Sequence, residues 1–199
     1  MNRFLAVDTA SSHLTVLAAN NGNIVCRHTD KCALKQSVMI MDEVDAAMSE
    51  AKLSPGGCDF FCAVTGPGSF TGIRIGISVA KGMALAAGKP LMPLTSFELI
   101  AYNVTSGDFF AAIDAAHGHF YACRFVAGRA EEPRYISREN LISYGIPVFG
   151  FEKLDLPLYT ALNAGECLLP AVLKKLESAP FGDMHALYVR KSQAEEGRK

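Results

Sequence analysis

The sequence predicts an α/β protein with two similar lobes, and two observations lead to this prediction. Three short strands joined by tight turns are followed by a helix, a strand and a second helix in the first half of the chain. An apolar strand that ends in aspartate and small residues occurs at 4–12 and again at 108–116. Because a repeated unit predicts two related lobes, we expect lobes at 1–106 and 107–199 with a boundary near Ser106.

The elements of the first lobe follow from turn residues and from the spacing of apolar residues. Strands are predicted at 4–7, at 13–19 and from 24 onward, with a hairpin turn at Asn-Asn-Gly-Asn, 20–23. Helical spacing predicts helices, and a continuous apolar run predicts a strand that is buried on both faces. In chain order these are a helix at 37–51, the buried strand at 59–65, a helix at 71–88, a short strand at 90–94 and a helix at 96–103.

The second lobe repeats this order in a shorter form. An apolar strand ends at Asp114, a second strand is predicted at 119–126, and Gly128 marks a turn. A weaker strand near 134–136 leads to a helix that starts at Ser137. The pattern is eroded beyond that strand, so the second lobe is expected to be reduced.

Composition excludes several classes of protein. The 199 residues are 50% hydrophobic and carry a net charge of −1, which excludes intrinsic disorder. The charge balance also excludes a typical nucleic-acid binder, whose affinity depends on a surplus of Lys and Arg. The apolar run before Asp8 is too short for a signal peptide, and the apolar region 72–88 contains Arg74 and Lys81. We therefore expect a cytoplasmic protein that does not contact a membrane.

The segment 65–76 places a Gly-Pro-Gly loop between the buried strand and a helix. Backbone N–H groups of such a loop, together with the helix dipole, can surround an anion. Alternatively, Gly68 and Gly72 only permit a sharp turn and a close approach of the helix, and the small residues of that helix favour this packing role. The residues of a weak nucleotide or anion site would be Asp8, Thr9, Gly66, Gly68, Ser69, Thr71 and Gly72.

Aspartate and histidine residues offer two further candidate sites. Asp8 with Thr9, and Asp114 in the repeat, could coordinate Mg²⁺, but such residues also form turns and caps at strand ends. His117 and His119 would share one face of a strand, but a zinc site needs further ligands, so surface histidines are the preferred interpretation. We therefore predict no catalytic residue and no metal ligand.

Short motifs spread over nearly the whole chain point to one family. They are Ala-Val-Asp-Thr-Ala-Ser at 6–11, Gly-Pro-Gly-Ser-Phe-Thr-Gly-Ile-Arg-Ile-Gly at 66–76, Ala-Lys-Gly at 80–82, Ile-Asp-Ala at 113–115 and Leu-Tyr-Val-Arg at 187–190. In these motifs the chain resembles the bacterial TsaB family, also called YeaZ. Members of that family take part in making threonylcarbamoyladenosine in tRNA.

The resemblance implies an actin/hexokinase/Hsp70-like (ASKHA) fold with two ribonuclease-H-like lobes, the second of them reduced. It also implies a non-catalytic scaffold or activator that binds the paralogous threonylcarbamoyl transferase, TsaD. A small ATPase, TsaE, would complete the complex, and a homodimer is expected in isolation. No cofactor is expected on this chain, since ATP and metal would be held by the partner subunits, and tRNA would be contacted only indirectly.

One departure from the transferase fits this role. The transferase carries a pair of helical histidines for its metal, whereas the helix at 37–51 contains no histidine. Two enzymatic alternatives remain: a metallopeptidase-like (glycoprotease) activity would need zinc ligands, and a small-molecule kinase would need a complete two-lobe phosphate clamp.

The partner surface is predicted on two helices of the first lobe. An apolar stripe on the helix at 37–51 is wider than the core of one lobe needs, and a paired-helix interface would use it. Alternatively, the stripe only packs on the sheet. The residues predicted to contact the partner are Val38, Met41, Val44, Met48, Ile73 and Ile77.

Overall fold

Two β-sheets with helices packed on them form the part of the chain that the computed structural model describes, residues 2–105, 107–178 and 180–189. The predicted α/β class is confirmed. The predicted boundary residue Ser106 and Arg190 of the last motif lie outside the described residues.

The first sheet has the strand order β3-β2-β1-β4-β5. Its strands are β1 (Arg3–Asp8), β2 (Leu14–Asn20), β3 (Asn23–Thr29), β4 (Phe60–Val64) and β5 (Leu91–Leu94). The first three form the predicted antiparallel meander, with Asn21 and Gly22 at positive φ in the turn between β2 and β3. Strand β4 runs parallel to β1 and β5, and all of its residues are buried, as predicted.

Three helices belong to this half of the chain: α1 (Gln36–Glu50), α2 (Phe70–Ala87) and α3 (Ser96–Ala101). Helix α1 contacts β2 and β3, and α2 lies on β1 and β4. Helix α2 starts at an N-cap in which the Ser69 hydroxyl accepts a hydrogen bond from the Gly72 N–H, and it ends at Gly88 in the left-handed region. Within the described ranges, α2 is the one helix that is long and apolar enough to cross a membrane by length and composition; it buries Ile73, Ile77 and small residues within the fold.

The second sheet has the order β11-β10-β6-β7-β8, and β9 also pairs with β7. Its strands are β6 (Phe109–Asp114), β7 (His119–Val126), β8 (Arg129–Ala130), β9 (Arg134–Ser137), β10 (Val148–Gly150) and β11 (Tyr159–Ala161). Strands β6 and β7 pair antiparallel, as β1 and β2 do, which confirms the predicted repeat. Helix α4 (Arg138–Ser143) follows β9 where a helix was predicted. Strands β10 and β11 were not predicted because three residues are too few to show a period.

The last helix of the described chain, α5 (Ala164–Lys175), returns to the first sheet. It buries Cys167, Leu168, Ala171 and Val172 in the same core as β1, β2 and β4. A helix from the second half of the chain thus completes the core of the first sheet. The division into lobes at 1–106 and 107–199 stays a prediction. Pro170, inside this helix, weakens its signal in the sequence.

Candidate functional site

The glycine-rich loop packs directly against the turn that follows β1. A Cβ atom on Gly68 would lie 2.0 Å from the carbonyl oxygen of Ala10, and one on Gly72 would lie 2.0 Å from the carbonyl oxygen of Thr9. Any side chain at either position would collide with backbone. Close packing is therefore sufficient to explain why glycine occupies both positions.

Polar groups of the predicted anion site already bond to one another. The Ser69 N–H donates to the Ala10 carbonyl (2.7 Å), and the Thr9 hydroxyl donates to the Gly72 carbonyl (2.7 Å). Gly66 lies at positive φ beside Ile73. The structure thus brings most of the predicted residues together, but as a packed turn, whereas Thr71 lies apart on the exposed start of α2. Anion binding stays a prediction.

The two aspartates that end β1 and β6 make the same local hydrogen bond. The Ala10 N–H donates to Asp8 Oδ1 (2.9 Å), and the Ala116 N–H donates to Asp114 Oδ1 (2.9 Å). The turn interpretation is confirmed for both. Across residues 2–105, 107–178 and 180–189, no group of three His, Cys, Asp or Glu residues is placed to hold a metal ion.

Asp8 also forms a buried pair with His13 that sequence reasoning missed. His13 Nε2 lies 2.8 Å from Asp8 Oδ2, and both side chains are buried. Burial lowers the pKa of His13, but the charge and hydrogen bond of Asp8, together with the charges of Asp30 and Glu152, raise it by more, so the pKa lies above its ordinary value of 6.5. The signal in the sequence is that both residues flank one tight turn between paired strands.

The predicted arrangement of His117 and His119 on one strand face is wrong. His117 lies in the turn with a φ of 53°, and only His119 belongs to β7. The ring of His119 stacks on Tyr135 with 4.7 Å between centroids. His117 is exposed and His119 is half-buried, which agrees with surface histidines.

A cleft with a volume of about 360 Å³ lies between the two strand-end turns. Its walls include Ser11, Ser69, Asp114 and Glu152. The Ser11 hydroxyl donates to Glu152 Oε1 (2.9 Å), so a carboxylate of the second half reaches across to the turn of the first. Two carboxylates facing this cleft oppose the entry of a phosphate group.

The predicted partner stripe is divided between surface and core. Val38 is 77% exposed and Met41 is 46% exposed. Four of the six predicted contact residues are buried instead: Val44, Met48, Ile73 and Ile77. The expectation that all six face a partner is wrong for these four, because they lie on the sides of α1 and α2 that pack into the core of the first sheet.

An open groove of about 500 Å³ between α1 and α2 continues the exposed part of the stripe. Its lining includes Ile40, Met41, Phe70, Arg74, Ile75 and Val79. Val38 lies three residues before Met41 on α1, and Leu34, which is 98% exposed, lies in the turn that precedes this helix. Exposed apolar side chains beside an open groove are typical of interaction sites.

Arg74 is held at the edge of this groove by two aromatic side chains. Its Cζ atom lies over the Phe70 ring, 3.8 Å from the centroid. Its Nε donates to the hydroxyl of Tyr188 (3.2 Å), and the rings of Tyr188 and Phe70 are 5.5 Å apart. In the sequence Tyr188 served only as part of the motif at 187–190, and its contact with Arg74, 114 residues away in the chain, was not predicted.

Comparisons with known proteins agree with this fold. The family model of tRNA N6-adenosine threonylcarbamoyltransferase (TsaD) matches residues 28–154. The tRNA threonylcarbamoyladenosine biosynthesis protein TsaB of Escherichia coli K12 is 32% identical over 123 residues, covering 60% of this chain and 53% of that protein. TsaB of Bacillus subtilis 168 is 27% identical over 119 residues, covering 59% and 52%. The chain thus matches about half the length of these curated relatives.

A solved structure named YeaZ from Pseudomonas aeruginosa is similar over nearly the whole chain. The TM-score is 0.76 at 19% identity, and the match covers 94% of this chain and 100% of that one. This likeness concerns the fold. The expected ASKHA-type α/β fold is confirmed.

Proposed function

Because the chain belongs to the family of the threonylcarbamoyltransferase TsaD and its TsaB (YeaZ) relatives, we propose that it serves in threonylcarbamoyladenosine modification of tRNA as a partner subunit of the transferase. The transferase binds at the groove between α1 and α2. The observation that carries this proposal is exposed apolar surface at that groove and next to it: Met41 lines the groove and Val38, three residues earlier on α1, is also exposed, whereas the inner sides of both helices fill the core.

Shared ancestry favours this occupant. Two proteins with the same fold each present a related helix pair, and two such pairs can pack face to face as a pseudo-symmetric interface. The same geometry would join two copies of this chain, so a homodimer in the absence of the transferase belongs to the proposal. Covering the groove removes apolar surface from water, which supplies the free energy of association.

The subunit is non-catalytic in this proposal. The turn after β1 is filled by its own hydrogen bonds and by close glycine contacts, and the carboxylate of Glu152 occupies the adjoining cleft. ATP and metal belong to the transferase and to the small ATPase TsaE. A net charge of −1 supports a role in which the main tRNA contacts are made by the partners, in the cytoplasm where tRNA is modified.

Met41→Lys tests the groove as the binding surface. The substitution places a charge on the apolar wall, and we expect the Kd for the purified transferase to rise by about 30-fold, as for other central interface residues. The matched control is Leu173→Lys, because Leu173 is 49% exposed on α5, against 46% for Met41 on α1. Titration calorimetry measures both.

Three outcomes would contradict the proposal. The first is equal binding by wild type and Met41→Lys, and the second is no binding by either. The third is threonylcarbamoyl transfer by the transferase and TsaE that does not depend on this chain. The non-catalytic role fails separately if the purified chain alone hydrolyses ATP or peptides.

A further inference from the structure

We infer that Arg74, positioned by Phe70 and Tyr188, is the residue of the helix groove that binds a carboxylate side chain of the transferase. This inference rests on the proposed function, because it gives the chemistry by which the same groove recognises its partner. It assigns a specific electrostatic contact within a surface whose other described lining residues are uncharged.

The guanidinium group of Arg74 is fixed by two different contacts. The Phe70 ring lies under it at 3.8 Å, which is a cation–π contact, and the Tyr188 hydroxyl accepts the hydrogen bond from Nε. These contacts restrain the plane of the group and its rotation. An arginine that is ordered before binding loses less conformational entropy when its partner arrives.

Its two terminal nitrogens remain available. Within the described ranges, neither Nη1 nor Nη2 of Arg74 makes a hydrogen bond, and no carboxylate pairs with it. Arg74 is also the only charged side chain in the described lining of the groove. Two parallel N–H groups fit the two oxygens of one carboxylate, and a buried guanidinium without such a partner would oppose association.

Tyr188 reaches this position on an extended segment near the end of the described chain. The Gly182 N–H donates to the Leu91 carbonyl (3.1 Å), and the Leu187 N–H donates to the Thr65 carbonyl (2.8 Å). The segment is thus anchored beside β5 and at the end of β4 before Tyr188 meets α2. Tyr188 is 45% exposed and Phe70 is also 45% exposed, so neither serves mainly to fill the core.

The experiment measures binding of the full chain to the purified transferase by titration calorimetry at low and high salt. Arg74→Ala is expected to weaken binding by about 30-fold at low salt and to make the affinity less sensitive to salt. Tyr188→Phe keeps the ring but removes the acceptor, and we expect a loss of about 5-fold. In the Arg74→Ala background, Tyr188→Phe is expected to have no further effect.

Matched controls separate this role from general folding. Arg129→Ala removes an exposed arginine of β8, and Tyr144→Phe removes another hydroxyl that accepts a hydrogen bond from an arginine, Arg134. Both controls should bind like wild type. Thermal unfolding of Tyr188→Phe should match that of wild type, which excludes a merely structural effect.

The outcomes distinguish the two proposals. If the wild-type chain does not bind the transferase, the proposed function fails, and this inference fails with it. If the wild type binds but Arg74→Ala binds equally well with the same salt dependence, only the inference fails. It is also overturned if Arg74→Ala dissociates a homodimer in sedimentation while leaving the affinity for the transferase unchanged, because the occupant is then a second copy.

Discussion

The turns that follow β1 and β6 contain the same hydrogen bond from a backbone N–H to an aspartate side chain, but they differ in burial and in their packing partners. Asp8 and Asp114 each accept an N–H two residues on, at 2.9 Å. Asp8 is buried and paired with His13, and α2 presses on its turn, whereas Asp114 is exposed. The two copies of the repeat therefore share the local turn. Only the turn after β1 belongs to a core, because α2 packs against it.

Removal of the first aspartate should have the largest effect. Asp8→Ala leaves a buried imidazole without its partner, and we expect a loss of about 3 kcal/mol in the free energy of unfolding. Asp114→Ala, the matched change in the repeat, should cost only about 0.5 kcal/mol because that side chain is at the surface. Urea denaturation measures both. Equal losses would show that the two turns are energetically alike.

The contact of α2 with the first turn can be broken at a glycine. Gly72→Ala would place a Cβ 2.0 Å from the Thr9 carbonyl oxygen, and we expect a destabilisation of about 2 kcal/mol. Gly82→Ala is the control in the same helix, since a Cβ there meets nothing within 4 Å, and it should stabilise by about 0.5 kcal/mol. If Gly72→Ala is as stable as Gly82→Ala, the close packing does not restrain the turn.

The smallest expected effect is a dependence of stability on pH. Because the folded pKa of His13 is raised, the folded state binds its proton more tightly than the unfolded chain does. The stabilisation is therefore complete below the unfolded pKa near 6.5 and is lost as pH rises through the folded pKa. Thermal unfolding from pH 6 upward should show this decline for wild type and a flatter profile for His13→Gln. Identical profiles would refute the role of the pair.

Much of the first half was predictable because its signals are local. The meander follows from alternating residues and the Asn-Gly turn at 21–22, and β4 follows from one apolar run. The repeated aspartate turn was visible for the same reason. These features depend on neighbours within a few residues.

The features that were missed depend on contacts between distant residues. Arg74 meets Tyr188 across 114 residues, and α5 joins a core made by the first strands. Helical spacing also identified apolar positions on α1 without showing that Val44 faces the sheet while Val38 faces solvent. Which side of a helix is covered by its own protein is decided by tertiary packing, and a single helix pattern does not contain that information.

The return of α5 to the first sheet affects the order in which the chain can mature during synthesis. Leu168 and Val172 contribute fully buried side chains to a core whose strands begin at Arg3. The ribosome releases the amino-terminal strands long before it makes this helix. Until α5 is made, the apolar surface that it covers in the first half stays exposed to water. A gene fragment that ends after α3 would therefore encode an incomplete core.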